Sequence, residues 1–393
     1  MNIYPFVFLF YFCDSISIME NFDDIRPYRD EEFQETFSLL AKEQQFVSVL
    51  KYVFQDRADT LINMLKTLTS IDDLQANLIK PFLDGVINKS TQGVTFTGTE
   101  NIPREKPCLF ISNHRDIVLD PSLIDYGLHV NNIPTVEIAI GSNLLIMPWI
   151  ELLVRLNKSF IVRRDVTGRQ LLLSSMHLSS YIRHSVTECH RYIWIAQREG
   201  RAKDGNDLTQ DSLLRMLAMS GKSKDMRQAL MPLNIVPITI SYEYDPCDGM
   251  KAAELAIKAS NQPFTKTPDM DLQSMVTGIK GNKGHVNIHF GKPINEDLAK
   301  CAENDVHKQA SAIAEIIDQA IFQSYSLYDS HKVAYNLMTG TDHFSVSKEK
   351  TTEIQSYFLK QLANAGLTEN ELPFIVMQYA NQTKNYLSVT GKV

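Results

Sequence analysis

Apolar residues recur three and four positions apart in FSLLAKEQQFVSVLKYVF, in LINMLKTL and in LQANLIKPFLDGVI, so the spacing predicts helices from about Asp30 to Lys89. The pattern then changes. GVTFTG alternates like a strand and is broken by Gly98 and the Pro103 region. From about Lys106 to Ile294, short β-rich runs (CLFIS, SFIVRR, YIWIA, NIVPITISY, HVNIHF) alternate with segments of helical period, such as LLLSSMHLSSYIRHSVTECH and DLTQDSLLRMLAMS. Strand-helix alternation of this kind predicts an α/β domain with a largely covered sheet. After Pro293 helical period returns up to about Tyr325. It appears again from Lys350 to Val393, as two helices parted by a turn at Gly366.

The layout expected is therefore an N-terminal helical segment over 19–90, an α/β domain over 91–325 and a C-terminal helical tail over 326–393. Residues 1–18 read as an over-extended start or a short membrane-touching tail, because Met19 precedes a polar run that looks like an ordinary beginning. The apolar MNIYPFVFLFYFC lacks the positive n-region and small-residue cleavage site of a secretory signal. No apolar run reaches the roughly 18 residues of a membrane span. The nearest, Ile138 to Val154, is interrupted by Ser142, Asn143, Pro148 and Glu151.

Composition narrows the classes. Of the 393 residues 44% are hydrophobic and 22% charged, which suits a folded chain with a sizeable core and excludes a mainly disordered one. Thirty-nine Lys and Arg against 46 Asp and Glu give a net charge of −7, so a global basic footprint for nucleic acid is missing, while a local cluster could still hold phosphate. The cysteines, Cys13, Cys108, Cys189, Cys247 and Cys301, form no CxxC pair. That argues against a disulfide framework or thiolate zinc site and points to a reducing cytoplasm.

Four clusters could carry chemistry. In ISNHRDIVLDPSLID, Asn113 and His114 follow the buried run CLFI, at the end of a strand where α/β proteins place functional side chains. A histidine there can act as general base on a hydroxyl, oriented by a carboxylate, and both Asp116 and Asp120 are near enough in sequence. A loop histidine beside helix-capping aspartates would give the same string, and a His-x-Asp metal half-site lacks a second ligand pair. In RLNKSFIVRRD, Lys158, Arg163 and Arg164 surround a strand, and arginine forks bind phosphate oxygens. In YIWIAQREGRAKDG a strand runs into Arg198, Glu199, Gly200, Arg201 and Lys203; the glycine permits a tight turn and the cations suit a phosphate. NIVPITISYEYDP places Pro237 early in a very apolar strand, at a position that tolerates an edge. Elsewhere the signals are blander. His177, His184 and His190 read as one amphipathic helix, Gly281 to Gly284 as a hairpin turn, and LLIMPWIELLV as core, though with the N-terminal helices it could also dock on a bilayer.

Taken together and in order, the clusters resemble the glycerolipid acyltransferases, the superfamily of glycerol-3-phosphate and lysophosphatidic acid acyltransferases. Asn113-His114 resembles the family's N-H-x4-D box, Phe160 to Arg164 its F-I-x-R block, Glu199-Gly200-Arg201 its E-G-T-R box and Val236-Pro237-Ile238 its V-P-V/I strand. The resemblance spans Cys108 to about Asp245, with a related G-K-P-I at Gly291 to Ile294. It departs twice. The family's aspartate position is Leu119 here, with Asp120-Pro121 displaced by one residue, and the third box lacks its threonine.

The resemblance implies an acyltransferase-like mixed sheet flanked by helices, and transfer of a fatty acyl group to a glycerol-phosphate hydroxyl. His114 would be the base, with Asp120 favoured over Asp116 as its partner. Arg163, Arg164 and Arg201 would hold the acceptor phosphate, and Asn113, Arg115, Lys158, Phe160, Glu199, Gly200 and Pro237 would complete the substrate-binding set. No metal or cofactor is implied beyond the co-substrate, an acyl thioester of coenzyme A or acyl-carrier protein. The location implied is cytoplasmic, peripheral to a membrane. A non-catalytic lipid-binding scaffold competes, on the strength of Leu119. A hydrolase would need a G-x-S-x-G elbow, which the sequence lacks.

Overall fold

The computed structural model describes residues 21–265 and 267–391. Residues 1–18, read above as an extra start or tail, lie outside the described residues. Seven strands form one sheet: β1 (Gly93–Thr97), β2 (Leu109–Ser112), β3 (Glu137–Gly141), β4 (Ser159–Val162), β5 (Ile193–Ala196), β6 (Val236–Tyr242) and β7 (His285–Phe290). Their order is β1-β7-β6-β2-β5-β3-β4, parallel throughout except for β6 against β7. The mixed sheet flanked by helices matches the expectation.

Strand period places the core. Leu109 and Ile111 of β2 face one apolar cluster, with Leu178 and Ile182 of the helix Gly168–Thr187 and Ile313 and Ile317 of the helix Gln309–Phe322. Phe110, between them, faces the opposite cluster, with Leu119, Leu123 and Leu128 of the helix Leu119–Val130. Both faces are covered, which is why these strands read as unbroken apolar runs. Two further clusters stand apart. The N-terminal helices Asp30–Leu40, Gln44–Phe54 and Ala58–Leu65 pack with the helix Pro148–Leu156. At the other end of the chain, Asp329–Thr339, Lys348–Asn364 and Leu372–Thr390 pack together and onto Ala252.

Four details differ from the sequence pattern. β3 was hidden inside the apolar stretch that begins at Ile138, because EIAIG is short and runs straight into a helical turn and helix. Within the expected helical tail, the helix Asp329–Thr339 lies between Tyr325 and Lys350, where no helical period was read. Gly281 to Gly284 is no hairpin: it joins the helix Pro268–Lys280 to β7. Pro237 lies in an interior strand, yet its carbonyl accepts from Gly291 N (2.9 Å) where the β7 ladder ends, so no donor is needed on that side. No helix among the described residues is long and apolar enough to cross a membrane.

Candidate active site

The loop after β2 carries the candidate base. Asn113 ends the strand with a side chain in place of a ladder partner: its Nδ2 donates to Ile240 O (2.9 Å) and its Oδ1 accepts from Ile240 N (2.8 Å). This ties the loop to β6, so Asn113 anchors backbone rather than facing the cavity. His114 follows, and its backbone N–H donates to Asp207 Oδ2 at 2.6 Å.

Asp120, the second residue of the helix Leu119–Val130, turns its carboxylate back onto this loop. Its Oδ2 lies 2.8 Å from His114 Nδ1 and accepts the backbone N–H groups of Arg115 (2.6 Å) and Asp116 (2.9 Å), while its Oδ1 accepts from Tyr242 Oη (3.0 Å). A carboxylate facing Nδ1 makes that nitrogen the protonated one, which leaves Nε2 as the free acceptor. Leu119, at the position the family pattern assigns to aspartate, is buried in the core instead. Asp116 turns elsewhere: its Oδ1 accepts from Val118 N (2.9 Å) and Leu119 N (2.8 Å), opening the helix. Burial, and then the nearby Asp120, push the Asp116 carboxyl above its ordinary range.

His114 opens on a cavity of about 1250 Å³. The indole of Trp194 on β5 meets its ring edge to face, with centroids 6.0 Å apart. One part of the wall is apolar, built from the N-terminal helices and the helix Pro148–Leu156, including Phe46, Leu50, Phe82, Trp149 and Leu153. The other is cationic, with Arg163, Arg164, Arg198, Arg201, Lys203 and Lys258.

The cations are not equivalent. Arg163 pairs with Asp24 (2.8 Å) and Arg164 with Glu199 (2.8 Å). Among the described residues neither Arg198 nor Arg201 has an ion-pair partner, and the buried Arg198 Nε and Arg201 Nη1 make no hydrogen bond. Buried guanidinium nitrogens without acceptors suit an anion. Lys203 reports the same field: burial, and then the charge of Arg201, hold its ammonium down at about 8 despite an ion pair to Glu254 (3.0 Å). Gly200 adopts φ +68, in the left-handed region open to glycine, at the turn that sets Arg201 inward.

The structure thus brings His114, Asp120, Arg163, Arg164, Glu199, Gly200 and Arg201 to one place. It sends the rest elsewhere. Arg115 is buried against Asp245 (2.9 Å), which Lys251 also contacts. Burial alone would raise the Asp245 carboxyl, but Lys251 and Arg115 hold it at about 2. Lys158 bonds Asp72 and Thr135, each at 2.8 Å, Phe160 is core, and Pro237 is interior to the sheet. Sequence reasoning missed Asp207, Tyr242 and Trp194. Only Tyr242 left a signal there, as a polar-tipped ring at the end of the strand Val236–Tyr242. Among the described residues no cluster of side chains has the makings of a metal site.

The family model described as Acyltransferase matches residues 93–241. Over these residues the chain resembles that family. Its matched stretch begins with β1 and ends one residue short of Tyr242, so it contains the His114–Asp120 pair and the cationic wall around Arg201. Solved structures similar to this chain include the 1-acyl-sn-glycerophosphate acyltransferase PlsC from Thermotoga maritima, at 12% identity over 73% of this chain and 94% of that one, with a TM-score of 0.39. FtsY from Mycoplasma mycoides is similar at 13% identity, over 64% and 84%, with a TM-score of 0.21. The 54 kDa signal recognition particle protein from Aeropyrum pernix, in complex with GDP, is similar at 10% identity, over 93% and 94%, with a TM-score of 0.21. At such TM-scores none of the three carries an argument. No curated protein matches the chain.

Proposed function

We propose that the protein moves a fatty acyl group from a thioester to a hydroxyl of a glycerol-phosphate acceptor, glycerol 3-phosphate or its 1-acyl derivative. The observation that carries this is the His114–Asp120 pair opening on a cavity whose walls divide into an apolar part and a part with unpaired arginines. His114 Nε2 takes the hydroxyl proton as the oxygen attacks the thioester carbonyl. Asp120 stabilises the imidazolium that results. Collapse of the tetrahedral intermediate breaks the carbon–sulfur bond, and the imidazolium returns the proton to the departing thiolate. The acceptor phosphate sits on Arg201 and Arg198, with Arg163 and Arg164 at the rim, and the acyl chain lies along the apolar wall.

The donor is a thioester of coenzyme A or acyl-carrier protein. The case for a non-catalytic scaffold rested on Leu119, and Asp120 supplies the missing carboxylate from the next residue. The test is acyl transfer by purified protein from a labelled thioester of either type. Glycerol 3-phosphate and lysophosphatidic acid are offered separately, with His114→Ala alongside. Product with one acceptor, lost in the variant, supports the reading. No product from folded protein with either donor and either acceptor rejects it in favour of the scaffold.

A further inference from the structure

The two stretches that the sequence suggested for docking on a bilayer expose only scattered apolar side chains, Leu39, Val49, Tyr52 and Ile146. Trp149, Leu152 and Leu153 pack into the cluster of the N-terminal helices, and Trp149 Nε1 donates to Gln45 Oε1 at 3.1 Å. The longest run of consecutive exposed apolar residues among those described is elsewhere. The helix Gly168–Thr187 begins with GRQLLLSSM, in which Leu171, Leu172 and Leu173 are 50%, 60% and 53% exposed and Met176 is 41% exposed. Only from Leu178 onward does this helix enter the core.

Three consecutive leucines on a helix point about 100° apart and so cover more than half of its circumference. With Thr167 to Gln170 also exposed, the first turns stand off the body with apolar side chains facing several directions. A protein groove receives a helix along one stripe and leaves the opposite side polar. An apolar phase that wraps the outer side of the helix end is what buries Leu172 and Leu173 together.

Charge and position agree with a lipid surface. Arg169 is exposed on the same first turn with no ion-pair partner among the described residues, and Arg163 and Arg164 precede it by a few residues. Leu171, Ser174 and Leu178 line the cavity on which His114 opens, so one helix runs from the cavity wall to the apolar tip. We propose that the start of the helix Gly168–Thr187 inserts into the surface of an anionic lipid bilayer. Leu172 and Leu173 enter the acyl region, and Arg169 stays at the headgroups. The role of the contact, to pass a lipid between bilayer and cavity, rests on the acyl-transfer reading. The contact itself does not.

The test is flotation of the full chain with vesicles of phosphatidylcholine containing about a third phosphatidylglycerol, with no acyl donor present, for the native protein and for Leu172→Gln/Leu173→Gln. Neither leucine lines the cavity. The expected result is a bound fraction lowered about tenfold or more in the double variant, with unchanged melting temperature and unchanged turnover of a short-chain, water-soluble acyl donor. Arg169→Glu should weaken binding to these vesicles and leave the weaker binding to pure phosphatidylcholine as it was. Native protein that does not float, or a double variant that floats equally well, overturns the proposal. So does sedimentation showing that the leucines hold a second copy of the chain, with a dimer lost in the variant and vesicle binding unaffected. If the double variant is unfolded, Leu172→Trp replaces it: a blue shift of the added emission on vesicles supports insertion, and an unshifted emission overturns it. Vesicle binding by a protein that never turns over rejects the acyl-transfer reading and leaves the docking surface standing.

Discussion

Asp120 Oδ2 reaches back six residues to His114 Nδ1 at 2.8 Å, and the same oxygen gathers the N–H groups of Arg115 and Asp116. The carboxylate therefore shapes the loop and fixes the ring together. In acyl-transfer assays His114→Ala should lose about 10²–10⁴-fold in rate, the usual worth of a positioned general base. Asp120→Asn should lose a comparable amount, because an amide presents a poorer acceptor and no charge to the imidazolium. Asp116→Asn keeps an oxygen for Val118 N and Leu119 N, so its rate should stay within a few-fold of native. Equal losses at both aspartates would refute the assignment of the pair.

Arg201→Gln removes a buried cation that faces the cavity and pairs with no carboxylate among the described residues. The expected kinetic signature is a KM for the phosphorylated acceptor raised about tenfold or more, with kcat changed much less, since the group binds ground state and transition state alike. A fall confined to kcat would place Arg201 on the reacting carbonyl instead.

Lys203 gives a pH dependence. Its ammonium is held near 8, so kcat/KM for the acceptor should decline as pH rises through about 8 and the cavity loses a positive charge. Lys203→Arg should flatten that limb. Stability moves the other way. Between about 8 and the ordinary 10.5 the unfolded chain holds the proton that the folded chain has lost, so this group makes the fold more stable as pH rises across that window. Opposite slopes of activity and melting temperature are the pattern to seek.

Asn113→Ala should separate anchoring from binding. It leaves both polar groups of the Ile240 backbone without their partner in a buried strand, at a cost of about 2–4 kcal/mol. Chemical denaturation should show that loss. The KM for the acceptor should barely move in the fraction that remains folded.

Much of the architecture was legible because the physics is local. Leu109, Phe110 and Ile111 are apolar on both faces because helices cover both sides of the sheet, and such a strand announces itself. β3 did not, since its residues run without a break into the next helix. The histidine and its two candidate aspartates could be found from one loop. Choosing between the aspartates required the turn of the helix Leu119–Val130, which decides which carboxylate faces back. Asp207 and Trp194 come from other strands and loops, 93 and 80 positions away from His114, and no local pattern marks a contact at that distance. Arg115 shows the converse: beside the histidine it looks like a ligand for substrate, yet its guanidinium turns inward to Asp245.

That inward turn joins two parts of the chain. Asp245 accepts from Arg115, its backbone N–H donates to Tyr379 Oη (3.0 Å), and the same phenol donates to Asp248 Oδ2 (2.6 Å). The C-terminal helix Leu372–Thr390 is thus the floor on which the histidine loop stands. Removing it would expose a guanidinium and two carboxylates that the fold keeps from water. The family-matched stretch stops at residue 241, before Tyr242, Asp245 and all of β7. A fragment cut at that border would keep the four motifs from Asn113 to Ile238 but lose Gly291 to Ile294 and the contacts beneath the histidine loop, among them those of Tyr379 on the helix Leu372–Thr390.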